Sequence, residues 1–251
     1  ESQALNVLRK AINTIFEQKS SSLSFEHLYR NAYNLVLNKK SEALYRMVEE
    51  ALTDNIKSIG ANAVFDAEDE ILLPRLIETW KTVRWTVKSV ANVLMYLDRT
   101  YINERHSDNL LPVFLLGITV FKNVVFMYPR VRDRFRGLVL EAISRERNGE
   151  VVDHTLLNGA AQMLVDMEDG KLGLYEQEFE REFLKMSEQY FHGLALKFLS
   201  MTVPEFLRKV EETLADEEMR LGTYLAETTR PKLMKLFNLE MLEVHAKAVI
   251  E

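Results

Sequence analysis

Nowhere in its 251 residues does this chain alternate apolar and polar side chains for long enough to make a half-buried strand. Only nine glycines and five prolines interrupt it. Its apolar residues recur instead every three or four positions, the spacing of one helical face. That restricts the chain to an all-α architecture. The pattern predicts helices over 3–18, 24–38, 41–59, 69–104, 110–128, 131–147, 153–167, 175–199, 203–226 and 230–249, with room for two helices in 69–104. Pro74, Pro112, Pro204 and Pro231 fall near predicted helix starts, where a missing N–H costs nothing, and Pro129 marks a junction. Thr202-Val203-Pro204-Glu205 reads as a capping box. About ten helices with short connections make a bundle or stacked helical repeats. Two units of roughly 120 residues fit. The unbroken helical pattern from 110 to 147 leaves no flexible linker, so a stiff rod is expected.

Composition narrows the function. With 47% hydrophobic residues the chain can bury a sizeable core. A net charge of -6 argues against nucleic acid as its main ligand. The absence of cysteine excludes disulfides, thiol catalysis and thiolate zinc sites. The longest apolar run, Leu111 to Phe121, is too short to span a bilayer as a helix, and no secretion signal is visible. The chain opens at Glu1 and closes within a helical pattern, Leu239 to Glu251, as a piece cut from a longer chain would.

Catalytic groups are sparse. Histidines stand at 27, 106, 154, 192 and 245, and no two share the one-turn spacing of a helical metal site. Asp66-Ala67-Glu68-Asp69-Glu70 could suggest a Mg²⁺ site. It has no second acidic motif to complete it, and it reads better as the negative start of the next helix. There is no glycine-rich phosphate loop and no nucleophile elbow. Arg130, Arg132, Arg134 and Arg136 alternate sides on a helix, with Asp133 among them, and read as solvated surface.

Two helices carry more information. In Leu23 to Leu37, Ser24 suits the N-cap, Leu23 can staple onto Leu28, and Glu26 meets the positive end of the helix dipole. Phe25, Leu28, Tyr29, Ala32, Tyr33, Val36 and Leu37 follow one face, with Tyr33 toward its margin. Asn38-Lys39-Lys40 ends the run and Ser41 can cap the next helix. Such tyrosines serve either a core or a partner, and spacing alone leaves both open. In 83–103, Val83, Val87, Val90, Leu94, Leu97 and Tyr101 mark the buried face, which puts Asn92, Tyr96, Arg99 and Asn103 opposite. An exposed tyrosine with an arginine one turn on is common at protein–protein hot spots. Local pairing of Arg99 to Asp98 or Glu104 is the alternative.

Taken together these segments resemble the N-terminal arm of a cullin. The matching stretches are Leu23 to Lys39, Val93 to Arg99, Arg145 to Asp153, Tyr175 to Phe198, and Val210-Glu211-Glu212. Arg145-Glu146-Arg147-Asn148-Gly149-Glu150 is similar to a run shared across cullins. The Phe25 to Tyr33 helix resembles most the type that recruits BTB-domain adaptors. The resemblance implies stacked five-helix cullin repeats forming an elongated rod, the first over 1–122 and the second over 123–251. It implies a non-catalytic scaffold of a ubiquitin ligase in cytoplasm and nucleus, with no cofactor and no metal. The adaptor site would take Leu23, Ser24, Phe25, Glu26, Leu28, Tyr29 and Tyr33 from one helix and Tyr96 and Arg99 from the other. The partner would be a BTB-domain substrate adaptor, commonly dimeric. The RING subunit would dock only through a C-terminal region absent from this sequence. An N-terminal extension that adds adaptor contacts and a third repeat are also expected to be missing. His27, where the family usually has an acidic residue, and Asn34 depart from the pattern and could tune adaptor choice. A Skp1-like or elongin-type adaptor, and an all-helical Mg²⁺-dependent enzyme, are the competing readings.

Overall fold

The computed structural model describes residues 2–104 and 110–243. His106, His245 and the helical pattern beyond Glu243 lie outside the described residues. Within them there is no strand. Helix α1 spans Ser2–Phe16, α2 Phe25–Leu37, α3 Ser41–Ala63, α4 Asp69–Val93 and α5 Val113–Phe121. Helix α6 spans Pro129–Arg147, α7 His154–Asp166, α8 Arg181–Phe198, α9 Val203–Thr223 and α10 Thr229–Asn238. Wide π turns adjoin four of these helices, at Asp98–Ile102, Lys122–Phe126, Glu176–Glu180 and Leu239–Glu243. No single described helix is long and apolar enough to cross a membrane. The chain forms two compact units, Glu1–Phe135 and Arg136–Glu251, divided within α6.

The first unit is organised around α4, which packs against α1, α2, α3 and α5. Its inward stripe of Leu72, Leu76, Val83, Val87 and Val90 is fully buried and continues through Leu94 and Leu97. The Trp80 ring lies 5.1 Å from that of Phe121 on α5. The approach of α5 is close because Gly117 has no side chain. A Cβ there would stand 2.4 Å from a Val87 methyl, a contact that a β-branched core residue cannot relieve by changing rotamer. The Tyr45 hydroxyl ties α3 to the segment before α5, donating to the Leu111 carbonyl at 3.1 Å and accepting its N–H at 3.2 Å.

Several local expectations are corrected. Pro74 is the sixth residue of α4, inside the helix, so the Glu70 carbonyl loses an intrahelical donor; both residues are exposed and water can serve it. Ser41 is the first helical residue of α3 and is buried; Lys40 occupies the N-cap, and its side chain does not cap the helix. The region 69–104 breaks once, at Leu94, and continues as the turn Met95–Leu97 and the π turn Asp98–Ile102. The acidic run and the arginine cluster, read separately from sequence, meet. Arg134 Nε donates to Asp69 Oδ1 at 2.6 Å, and Arg130 lies 3.7 Å from Asp66. Among the described residues no group of three or more histidines and carboxylates is placed to hold a metal ion.

In the second unit the Arg-Glu-Arg-x-Gly-Glu run acquires a structural role. Gly149, at φ 88°, takes the left-handed position past the end of α6. The Glu150 N–H then bonds the Arg145 carbonyl at 3.0 Å and the Gly149 N–H that of Glu146 at 2.9 Å, a Schellman closure. Asp153 caps α7 by accepting the Leu156 N–H at 3.0 Å. Arg147 turns inward. Its Nε and Nη2 donate to both Glu217 oxygens at 2.9 and 2.8 Å, and Nη2 also donates to Ser187. The guanidinium lies 4.6 Å from the Tyr190 ring centre. Glu217 accepts a further bond from Arg220 at 2.8 Å. Glu146 accepts the Tyr224 hydroxyl at 2.6 Å and contacts His154 Nε2 at 2.8 Å. Burial would raise the Glu146 carboxyl, but the bonds from Tyr224 and His154 and the charge of Arg220 hold it below the ordinary glutamate value. Thus α6, α7, α8 and α9 share one buried polar network.

This packing makes two stability tests possible. Gly117→Ala should lower the unfolding free energy by about 1–3 kcal/mol in urea titration, the cost of overpacking a filled core. Arg147→Ala should cost about 3–5 kcal/mol, because Glu217 stays buried with a reduced set of partners. Arg145→Ala, two residues earlier, removes only an exposed pair with Glu150 and should leave the unfolding midpoint unchanged within error.

A tyrosine surface as candidate functional site

Helix α2 starts where the sequence indicates. Ser24 has extended backbone, φ -87° and ψ 100°, and its Oγ accepts the His27 N–H at 3.3 Å. Leu28, Ala32 and Leu35 enter the core, and this inward stripe sets the rotation of the helix. Lys39, at φ 59°, closes it, with its own N–H on the Val36 carbonyl and the Lys40 N–H on that of Leu35.

Beside that stripe lies a second row: Phe25, Tyr29, Tyr33 and Leu37, each four residues after the last. Four residues overshoot one helical turn by about 40°, so the row winds away from the core toward solvent. Tyr29 and Tyr33 are half-buried. Leu37 is 55% exposed, contrary to its expected place on the buried face, because by that point the row has turned outward. Phe25 is 43% exposed.

The row reaches the end of α4. The Tyr29 and Tyr33 rings stack at 6.4 Å, and the Tyr33 ring meets Tyr96 at 4.5 Å with the planes tilted by 51°. Two helices far apart in sequence therefore share one aromatic ridge. Tyr96 is held from behind: the Thr100 hydroxyl donates to its carbonyl at 2.7 Å. Asp98 Oδ1 accepts the N–H of Val113, the first residue of α5, at 3.0 Å. Burial holds the Asp98 carboxyl above the ordinary aspartate value, against the opposing effect of the Val113 bond.

Each residue named from sequence now has a place. Phe25, Tyr29, Tyr33 and Tyr96 present aromatic surface. Arg99 is exposed. Glu26 is exposed and pairs with Arg30 at 2.6 Å, an arrangement that water and a partner can both loosen. Ser24 is exposed at the cap and Leu23 is half-buried. Leu28 is only 4% exposed and packs in the core, so it seats the helix and offers no contact area. His27 and Asn34 are exposed. The sequence pattern did not single out Met95, which is 37% exposed beside Tyr96; it lies between the buried Leu94 and the assigned Tyr96. Among the described residues the surface carries no metal-binding cluster. It offers apolar area with polar rims, the composition of a protein-binding patch.

A family model described as the cullin alpha solenoid domain matches residues 5–251. The chain belongs to the cullin family. It is 30% identical over 246 residues to Cullin-3 of Dictyostelium discoideum, covering 98% of this chain and 32% of that protein. It is 29% identical over 245 residues to Cullin-3B of Arabidopsis thaliana, covering 97% of this chain and 32% of the relative. It is 28% identical over 250 residues to Cullin-3 of Caenorhabditis elegans, covering 99% of this chain and 32% of the relative. This cullin chain thus spans about a third of the length of the curated relatives it matches. The all-α fold and the family resemblance read from sequence agree with these matches.

In this cullin the tyrosine ridge depends on the turn that carries Tyr96. Asp98→Ala removes the side chain that caps α5. It should lower stability by about 1 kcal/mol in urea titration and broaden the Tyr96 ring resonances in NMR spectra. Sharp, unshifted Tyr96 signals in the variant would show that the cap does not hold the turn.

Proposed function

We infer that this chain is the scaffold arm of a cullin-type ubiquitin ligase and binds a BTB-domain substrate adaptor on the Tyr29–Tyr33–Tyr96 surface. The observation that carries the reading is the 4.5 Å contact between Tyr33 and Tyr96, which joins both sequence-indicated helices in one patch. Phe25 and the tyrosines act as apolar anchors, and Arg99 and Glu26 make directed polar contacts at the rim. Ser24 and Leu28 hold the helix in place. The similarity to proteins named Cullin-3 supports the adaptor class. On this reading residues 1–122 form the adaptor-binding repeat and 123–251 a second repeat. The chain holds its partner in place without catalysis, the RING subunit docks on a region outside this sequence, and the assembly works in cytoplasm and nucleus.

Calorimetric titration against a panel of BTB domains, with one Skp1-like protein for comparison, tests it. One-to-one binding to BTB domains alone is expected. Tyr33→Lys should cost about 2 kcal/mol or more of binding free energy, and Phe25→Ala should also abolish tight binding. Far-ultraviolet circular dichroism and melting should stay as in the unsubstituted chain. Binding retained in both variants, or loss of the fold, counts against the assignment.

A further inference from the structure

Trp85 is the most exposed aromatic residue on α4. It is 58% accessible, whereas Trp80, the chain's other tryptophan, is 3% accessible and lies in the core. Lys81 and Lys88 stand one turn to either side, both exposed, with Arg84 beside them. Lys88 reaches over the Phe114 ring, 5.4 Å from its centre. No carboxylate occurs between Glu78 and Asp98, although the whole chain has 38 acidic residues and a net charge of -6. Helices α1 and α5, which pack against α4, carry no carboxylate either within Ser2–Phe16 and Val113–Phe121. From Lys81 to Lys88 the outer face of α4 is therefore a cationic strip centred on a large indole, with Glu78 at its edge, in an otherwise acidic molecule.

The strip continues the tyrosine surface. Trp85 and Lys88 have the same three-residue offset as Tyr96 and Arg99, and each member of the first pair precedes its counterpart by eleven residues. Eleven helical residues make three turns to within about 20° and advance about 16 Å. Leu94 and Leu97 stay buried in register with Val83, Val87 and Val90, so Tyr96 leaves this segment on the same side as Trp85.

We propose that this Trp85 strip is a second part of the adaptor-docking surface, which receives an acidic segment carrying an apolar side chain next to the BTB fold of the same adaptor. The proposal rests on the adaptor reading of the tyrosine surface. Tryptophan offers the largest apolar contact of any side chain and attracts cations on its face, while the lysines beside it select carboxylates.

The test uses a BTB protein that bears such an acidic segment, alongside the same protein with those carboxylates changed to amides. Trp85→Ala, and separately Lys81→Glu with Lys88→Glu, should weaken binding of the acidic form about tenfold. The lysine substitutions should also flatten its salt dependence. The lysine substitutions should leave binding of the amide form unchanged, whereas Trp85→Ala should weaken it as well, through the lost apolar contact. Trp85 fluorescence should shift to the blue when the acidic form binds, with buried Trp80 supplying a constant background. Equal affinity of the unsubstituted chain and these variants for the acidic form, while Tyr33→Lys still abolishes binding, overturns this proposal alone. Failure of the unsubstituted chain to bind either form overturns the adaptor reading and this proposal with it.

Discussion

The burial of α4 is the constraint on which the first unit depends. Its apolar stripe runs from Leu72 to Leu97, and four other helices are needed to cover it. Gly117 lets one of them lie so close that the Val87 methyls fill the space a side chain at 117 would take. Because the stripe continues beyond the break at Leu94, the far end of the helix is anchored as firmly as its middle. Tyr96 and Arg99 leave that anchored end on the opposite side. The exposed surface is therefore backed by packed core, which limits the entropy a binding surface loses on docking.

The second unit uses a different device. Arg147 and Glu217 are almost wholly buried, and charges so far from water persist only when they are paired and hydrogen-bonded. Ser187, the Tyr190 ring and Arg220 add to that pairing, while Arg147 Nη1 is left without a hydrogen-bond partner. The short run that resembles a cullin signature is thereby explained by its own chemistry. Gly149 stops the helix, the Glu150 N–H on the Arg145 carbonyl closes the stop, and Arg147 fixes the helix to its neighbours.

Much of this was legible in the residues. The helices match the three-to-four spacing closely, and the Ser24 cap, the proline positions at 112 and 204, and the buried Val83–Leu97 stripe lie where periodicity places them. Other features left no local trace. Each π turn adds one residue to a helical turn and shifts the phase of the residues C-terminal to it, and no residue type marks it. Pro74 inside α4 was legible only as a residue near a start, since the helix begins earlier than a proline would suggest. Asp66, Asp69, Arg130 and Arg134 could be read as two charged runs, but their closure onto each other depends on a turn at Val64–Ala67 that brings distant segments into contact.

Sequence alone determined the all-α class, the order of the helices and the two amphipathic segments with tyrosines on their margins. Periodicity is a local property, imposed by the rise and twist of the helix itself. Only the tertiary structure decided which margin faces which. Tyr33 could have been core or surface by its spacing, and Tyr96 could have shielded nothing but its own helix. Packing of Leu28, Ala32 and Leu35 into the core sets the rotation of α2, and burial of Leu94 and Leu97 sets that of the turn after α4. Those two rotations, fixed by apolar burial between segments some sixty residues apart in the chain, bring the rings together.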